Sequence, residues 1–187
     1  VVSRWINDQH IGPDLRADYI ALVRHRHLDD AVSSVAAVAI DTAAEDRLRA
    51  TALACIAAVR SASQRSMVLA SFGSDGPIAS NLGVRLVELA YPHVIDETAL
   101  FTLLGRVDMR TSRSRSSDLY VLDRYIEHGV PTERVAALLS HLVAFICRED
   151  GTLQPARSWA IDWLAPLLAR LLGSTRLEEA EEQLALN

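Results

Sequence analysis

The chain contains no lysine, because all 19 of its basic residues are arginine. The chain therefore lacks the phosphate-binding lysine of P-loop proteins and the lysine that forms a Schiff base in some enzymes. It also lacks the lysine that contacts the nucleotide phosphates in protein kinases. This absence argues against those three classes of enzyme. Arginine used to the exclusion of lysine is typical of a protein from a GC-rich bacterial genome.

Cysteine and aromatic residues are also scarce. Aromatic residues make up 5% of the chain, whereas 50% of it is hydrophobic, which favours helix-on-helix packing over sheets. The two cysteines, Cys55 and Cys147, each lie in an apolar stretch and form no metal motif. We expect both thiols to be buried in a reducing compartment, with a single disulfide as the alternative.

Long apolar runs are absent too. No uninterrupted apolar stretch approaches the roughly 18 residues of a membrane span, and the first residues do not resemble a signal peptide. We therefore expect a cytoplasmic protein with no membrane partner. The chain begins with Val1, and we expect it to be part of a larger protein. The net charge of -5 argues against a protein that wraps nucleic acid.

Apolar residues recur at helical spacing along most of the chain. In the segment 43–60, for example, Leu48, Ala52 and Ile56 fall on one stripe, which indicates an amphipathic helix facing a core. The same pattern predicts helices over 13–27, 29–40, 63–72, 77–90, 96–107 and 155–172, and a pair over 117–147 joined at 129–133. For 13–27, the predicted core face carries Leu15, Tyr19, Leu22 and Val23. The fold class predicted from these segments is all-α.

Similar apolar steps, each an alanine followed by a leucine, recur at irregular intervals along the chain. Ala52, Ala99 and Ala137 each precede a leucine, and they lie 47 and 38 residues apart. Together with the segment Asp46–Leu53, these steps resemble HEAT and armadillo helical repeats, whose units span about 40 to 47 residues. The resemblance implies a right-handed array of antiparallel helix pairs, an α-solenoid of about nine to ten helices.

In its arginine-rich helical pattern, the chain is also similar to the helical arrays of large bacterial signalling ATPases of the NACHT or STAND type. That similarity implies a scaffold or sensor portion of a larger protein. We predict one repeat domain over residues 1–187, with a weak boundary at 108–117, where serine and arginine interrupt the apolar pattern.

Two groups of residues are candidate contact sites. Arg110, Arg113 and Arg115 alternate with hydroxyl side chains, a pattern suited to anion or partner contact, with a solvated loop as the alternative. Trp159 and Trp163 fall on one helix face and would form either a hydrophobic docking edge or part of the internal core.

Catalytic and metal sites are not indicated. Neighbouring helical residues such as Ser140 and His141 diverge, and His25 and His27 cannot share an ion on a regular helix. We expect His141 to be a packing residue and expect no cofactor, metal or catalytic residue. The sequence thus favours a non-catalytic protein-interaction, scaffold or sensor module. The alternatives are a nucleic-acid module similar to HEAT-like DNA glycosylases, and a helical bundle that dimerises through the Trp159–Trp163 helix or through 110–116.

Overall fold

The computed structural model describes residues 1–59, 62–73, 76–108, 117–147 and 160–173, and these residues are mostly helical. The all-α class is therefore confirmed. None of the helices in these ranges combines the length and hydropathy needed to cross a bilayer. The helices are α1 (Val2–Asn7), α2 (Pro13–Arg26), α3 (Val32–Ile40), α4 (Asp46–Ala58), α5 (Ala62–Ser71), α6 (Ser80–Ala90), α7 (Glu97–Arg106), α8 (Ser117–Arg124), α9 (Thr132–Ile146) and α10 (164–173).

Short irregular elements connect some of these helices. A 3₁₀ turn at Asp29–Ala31 precedes α3, and another at Ile161–Trp163 precedes α10. A π turn at Tyr125–Gly129 continues α8. Because α10 begins at 164, Pro166 lies in its first turn, where a missing N–H removes no helical hydrogen bond.

The helices pack in two rows. In the even row, α2 contacts α4, α4 contacts α6 and α6 contacts α8. In the odd row, α1 contacts α3, α3 contacts α5 and α7 contacts α9. Contacts between the rows, such as those of α3 with α4 and of α6 with α7, enclose one apolar core. Buried residues from Ile6 to Leu167 belong to this core, which spans both sides of the 108–117 segment.

The predicted helix over 77–90 begins later than expected. Residues Ile78–Ala79 form a strand, β1, which pairs in parallel with a second strand, β2 (Val107–Asp108). The β-branched side chains of Ile78 and Val107 lie opposite each other and suit this extended backbone. A Cβ on Gly83 of α6 would lie 2.4 Å from Val107 Cγ2, so the close approach of α6 to β2 requires glycine.

The predicted core face of α2 is wrong in part. The helix buries Ile20 and Val23 and leaves Leu15 and Leu22 exposed by 47% and 38%. Apolar residues occur on more than one side of α2, so the spacing of its largest side chains could not identify the buried side.

One of the two cysteine predictions is also wrong. Cys55 is buried in α4, and this burial raises the pKa of its thiol from 9.0 to about 11. Cys147 is exposed, because it follows the last residue of α9, where the helix leaves the core. Both cysteines are free thiols.

Arginine side chains satisfy carbonyl groups at the ends of several helices. Such carbonyls lack a helical partner and carry the negative end of the helix dipole, so a cation is favourable there. The donor–acceptor pairs are Arg16 Nε to Ile6 O at 2.8 Å, Arg49 Nε to Ala39 O at 3.3 Å, Arg65 Nη2 to Ala57 O at 2.6 Å, Arg106 Nη1 to Gly73 O at 2.8 Å and Arg170 Nη2 to Val130 O at 2.5 Å.

Candidate functional site

A groove of about 460 Å³ lies between α5 and α7, two helices that follow each other in the odd row. We call it the α5–α7 groove. Its lining is mainly apolar, with a carboxylate and a guanidinium at its margins. The lining residues are Leu69, Phe72, Gly73, Ile95, Asp96, Thr98, Ala99, Thr102, Leu103 and Arg106.

Arg106 holds the turn that follows α5. Its Nε donates to Gly76 O at 3.0 Å, its Nη1 to Gly73 O at 2.8 Å and its Nη2 to Phe72 O at 2.9 Å. Gly73 and Gly76 have φ values of 61° and 90°, in the region that favours glycine. One planar guanidinium thus fixes the turn against the end of α7 and defines one end of the groove.

Asp96 lies at the other end of the same helix. Its carboxylate is the N-cap of α7 and accepts a hydrogen bond from Ala99 N at 2.9 Å. At a rise of about 1.5 Å per residue, Asp96 and Arg106 are about 15 Å apart along α7. The groove therefore has opposite charges near its two ends and apolar side chains between them.

Phe72 forms an aromatic wall of the groove, and Arg49 of α4 packs against this wall. The guanidinium carbon of Arg49 lies 5.2 Å from the centre of the Phe72 ring, within the range of a cation–π contact. Arg49 Nη1 also pairs with Asp46 Oδ1 at 3.1 Å, and the Arg49 side chain is only 12% exposed. These contacts restrict the position of Phe72 and pre-form this wall.

The outer edge of α7 continues the groove towards α9. Thr98 and Thr102 are exposed there, and Thr98 Oγ1 lies 3.2 Å from His141 Nε2 of α9. His141 is half-buried, and its Nδ1 lies 3.0 Å from Ala137 O. It is thus a packing residue that joins α9 to the edge of the groove. A smaller pocket of about 160 Å³ lies beside it and is lined in part by the tilted pair Phe101–Phe145.

A polar triad of two buried residues and one partly exposed arginine fixes the first turn of α7. The Tyr91 hydroxyl donates to Glu97 Oε1 at 2.9 Å, and Arg134 Nη2 of α9 donates to Glu97 Oε2 at 2.9 Å. Glu97 is 5% exposed. Burial, and then the Glu97 carboxylate, raise the pKa of Tyr91 far above its ordinary value, so the hydroxyl stays a donor. The triad sets the position of α7, on which the groove depends.

A second surface depression of about 510 Å³ lies beside the π turn. Tyr120, Arg124 and Tyr125 contribute to it, and the Arg124 guanidinium lies 6.0 Å from the Tyr120 ring. The Tyr125 hydroxyl donates to Tyr91 O, and burial raises its pKa to about 12. Gly129 is needed here because a Cβ would lie 2.7 Å from Tyr125 Cδ2.

Of the predicted site residues, the structure describes only Trp163, which does not line the groove. Arg110, Arg113, Arg115 and Trp159 lie outside the described residues. Trp163 is 1% exposed and donates from Nε1 to Asp123 Oδ1 at 2.8 Å, so it belongs to the core rather than to an exposed docking edge. His25 is exposed, and His27 ends α2 with a φ of 51°, both away from the groove.

Most of the groove could not be predicted from the sequence. Only Asp96 carried a local signal, because an aspartate before an apolar helix is a typical N-cap. Within the described ranges, no three or more His, Cys, Asp or Glu side chains are grouped so that they could hold a metal ion. Comparison with protein-family models, curated proteins and solved structures finds no match for this chain.

Proposed function

We propose that this chain is a non-catalytic protein-interaction module, the scaffold or sensor part of a larger protein, which binds an apolar segment of a partner protein in the α5–α7 groove. The observation that carries this proposal is a pre-formed apolar groove between Asp96 and Arg106. Both ends of the groove are held by hydrogen bonds within the chain, so a partner would need to order little of it on binding.

The proposed architecture is a HEAT-like α-solenoid, a right-handed array of antiparallel helix pairs. Most of the described helices pack on the helix two positions ahead, as a stack of helix pairs requires, and the exception is the pair α5 and α7, between which the groove lies. Binding surfaces of such arrays run along one row of helices. The α5–α7 groove and the adjoining pocket at α9 lie along the odd row, which supports this function.

The groove dimensions restrict the form of the bound segment. A length of about 15 Å accommodates about five residues of extended chain or about three turns of helix. Phe72 and Leu103 would contact apolar side chains of the partner, and the exposed hydroxyls of Thr98 and Thr102 would contact its polar groups. We therefore expect a partner segment with apolar residues on one side and polar residues on the other.

Ala99 is the best position for testing the groove. It lines the groove, so Ala99→Arg would fill it, whereas Ala136→Arg adds the same side chain at an exposed position of α9 that does not line it. The wild-type chain is first used to select binding peptides from a displayed random library. These peptides should bind the Ala99→Arg variant at least about tenfold more weakly than the wild type, which corresponds to about 1.4 kcal/mol of binding free energy. The Ala136→Arg variant should bind them as the wild type does.

Titration calorimetry of each selected peptide with the three proteins gives the comparison. Peptides that bind Ala99→Arg and the wild type equally would place recognition elsewhere on the chain. A library that yields no binding peptide would also contradict the proposal, because a pre-formed apolar groove of this size should select some sequences.

A further inference from the structure

The α5–α7 groove interrupts the packing of the odd row. Helix α3 packs on α5 and α7 packs on α9, but α5 and α7 make little contact with each other. The lining residues of α7 run along the whole helix, whereas those of α5 are Leu69 in its last turn, with Phe72 and Gly73 just after it. The two helices therefore come together only near Arg106 and diverge towards Asp96, and the groove opens in that direction.

The walls of the groove offer few hydrogen bonds to the backbone of a bound segment. Both walls are helices or turns, and no residue of β1 or β2 is among the lining residues. Backbone groups within a helix bond to one another, so a partner cannot use them. The hydroxyls are engaged too, because Thr98 Oγ1 lies 3.2 Å from His141 Nε2 and Thr102 Oγ1 donates to Thr98 O at 2.9 Å. A bound segment must therefore satisfy most of its own backbone groups.

This requirement distinguishes the two forms of segment that fit the length of the groove. An extended segment of about five residues would bring about five N–H and five C=O groups against a mainly apolar lining. Each of these groups that is left unpaired weakens binding by about tenfold. A helix pairs the same groups internally and presents only side chains to the groove. The walls of the groove thus favour a helix.

The charges at the two ends of the groove are unequal. At the closed end, the Arg106 guanidinium donates to three carbonyl oxygens that follow α5, near the negative end of the α5 dipole. At the open end, Asp96 is exposed and is the only acid among the described lining residues. The positive end of the α7 dipole amounts to about half a charge, so the Asp96 end of the groove stays negative. A basic residue of a bound segment is therefore attracted to this end.

We infer that the α5–α7 groove binds an amphipathic α-helix of the partner protein, about three turns long, which lies antiparallel to α7 and carries a basic residue in its last turn beside Asp96. This inference rests on the proposed function, because it names the form and the charge of the segment that the groove binds. The bound helix would fill the gap between α5 and α7 and contact both of them.

The antiparallel orientation follows from the dipoles of the two helices. In this orientation the C-terminal end of the bound helix, which is the negative end of its dipole, lies beside the positive N-terminal end of α7. A basic residue in the last turn then stabilises its own helix end and pairs with the Asp96 carboxylate. In the parallel orientation, the two positive helix ends would lie side by side, and a basic residue near Asp96 would be at the unfavourable end of its own helix.

Peptides of about 12 residues, long enough for three turns of helix, test the form of the segment. They are selected on the wild-type chain from a displayed random library, and those that bind Ala99→Arg more weakly are kept as groove-binding peptides. The Cα chemical shifts of isotope-labelled peptides should become helical on binding. Proline at a central position on the polar side of the peptide should weaken binding by about hundredfold relative to alanine at that position.

The variant Asp96→Asn tests the charge and the orientation. Asparagine is as good an N-cap as aspartate, so α7 keeps its first turn while the negative charge is lost. Groove-binding peptides with a basic last turn should bind this variant about three- to fivefold more weakly at low ionic strength, and as tightly as the wild type in about 0.5 M salt. The control is Asp18→Asn, which changes an exposed aspartate of α2 that does not line the groove and should leave binding unchanged.

The results that would overturn the inference differ from those that would overturn the proposed function. Extended Cα shifts, or proline tolerated at the central position, would exclude a bound helix. Equal binding of the basic peptides to Asp96→Asn and to the wild type at low ionic strength would exclude the inferred orientation. Both results leave the groove itself as the binding site, because the peptides compared are sensitive to Ala99→Arg. A library without any such peptide would overturn the proposed function, and this inference with it.

Discussion

Arginine has a structural use in this protein that explains why lysine could not simply replace it. Arg16, Arg49, Arg65, Arg106 and Arg170 all donate to carbonyl oxygens at or just beyond helix ends. A guanidinium carries five N–H donors in one plane and can reach two or three carbonyls at once, whereas an ammonium is a single point of charge. The sequence showed the bias towards arginine but not this use, because the carbonyl partners come from other helices.

Arg65→Lys should therefore destabilise the protein although the charge is kept. Arg65 donates from Nε to Val59 O at 3.2 Å and from Nη2 to Ala57 O at 2.6 Å, and lysine cannot make both contacts in this geometry. We expect a loss of at least about 1 kcal/mol in the free energy of unfolding, measured in urea. Arg47→Lys is the control, because Arg47 is 82% exposed and its pair with Asp14 should contribute under about 0.5 kcal/mol. Equal losses in the two variants would contradict the proposed role.

Cys55 should make the protein less stable at high pH. Burial raises the pKa of its thiol from 9.0 to about 11, so between these values the folded chain keeps a proton that the unfolded chain releases. The free energy of unfolding contributed by this group is thus complete below pH 9.0 and falls as the pH rises towards 11, by up to about 1.4 kcal/mol per pH unit.

Urea unfolding from neutral pH to pH 10 under reducing conditions measures this effect. Cys55→Ala should lose most of the decline between pH 9 and 10, and the smaller part that remains comes from Tyr91 and Tyr125, whose pKa values are also raised by burial. Cys147→Ala should retain the full decline, because Cys147 is exposed and Cys55 is still present. Parallel curves for the wild type and Cys55→Ala would show that the thiol does not titrate in this way.

Among the secondary-structure elements, the contact between α6 and β2 depends on the absence of a side chain at Gly83. A Cβ on Gly83 would lie 2.4 Å from Val107 Cγ2 and 2.7 Å from Val107 Cγ1, so one of the two elements would have to move. Gly83→Ala would gain about 1 kcal/mol in helix propensity but lose about 1–3 kcal/mol from overpacking. We expect a net loss of stability.

The double variant Gly83→Ala/Val107→Ala separates these two effects. Removing the two Val107 methyl groups opens the space, so Gly83→Ala should become neutral or stabilising in the Val107→Ala background. Thermal unfolding of the wild type, both single variants and the double variant gives the coupling. Additive effects would contradict a direct contact between the two residues.

The elements that sequence analysis could predict are those with local signals. Helix α4 shows a clear apolar stripe, and Asp96 caps α7 as its position before an apolar run predicts. The pairing of β1 with β2 and the π turn at Tyr125–Gly129 could not be predicted, because they depend on contacts between segments distant in the chain. The α5–α7 groove is a gap between helices, and a periodic pattern identifies buried faces but not the gaps between them.

For the whole molecule, we expect the Tyr91–Glu97–Arg134 triad to mark a junction between parts of unequal stability. Helices α3, α4 and α6 pack closely around the apolar core, whereas α7 and α9 are joined to each other partly through the buried Glu97 carboxylate. In a helical array of the proposed kind, such a junction can open without unfolding the remainder. The groove shares α7 with this junction, so its shape depends on the triad.

Glu97→Gln should therefore loosen α7 and α9 selectively. Glutamine keeps the shape of the side chain and can accept from the Tyr91 hydroxyl, but Arg134 loses its charged partner. We expect amide hydrogen exchange in α7 and α9 to become about tenfold faster while exchange in α3 and α4 is unchanged. Glu133→Gln, at an exposed position in the first turn of α9, is the matched control and should leave exchange in both regions as in the wild type. Equal acceleration in α4 and α9 would instead show that the described helices open as one cooperative unit, and the groove would then be as stable as the core beneath it.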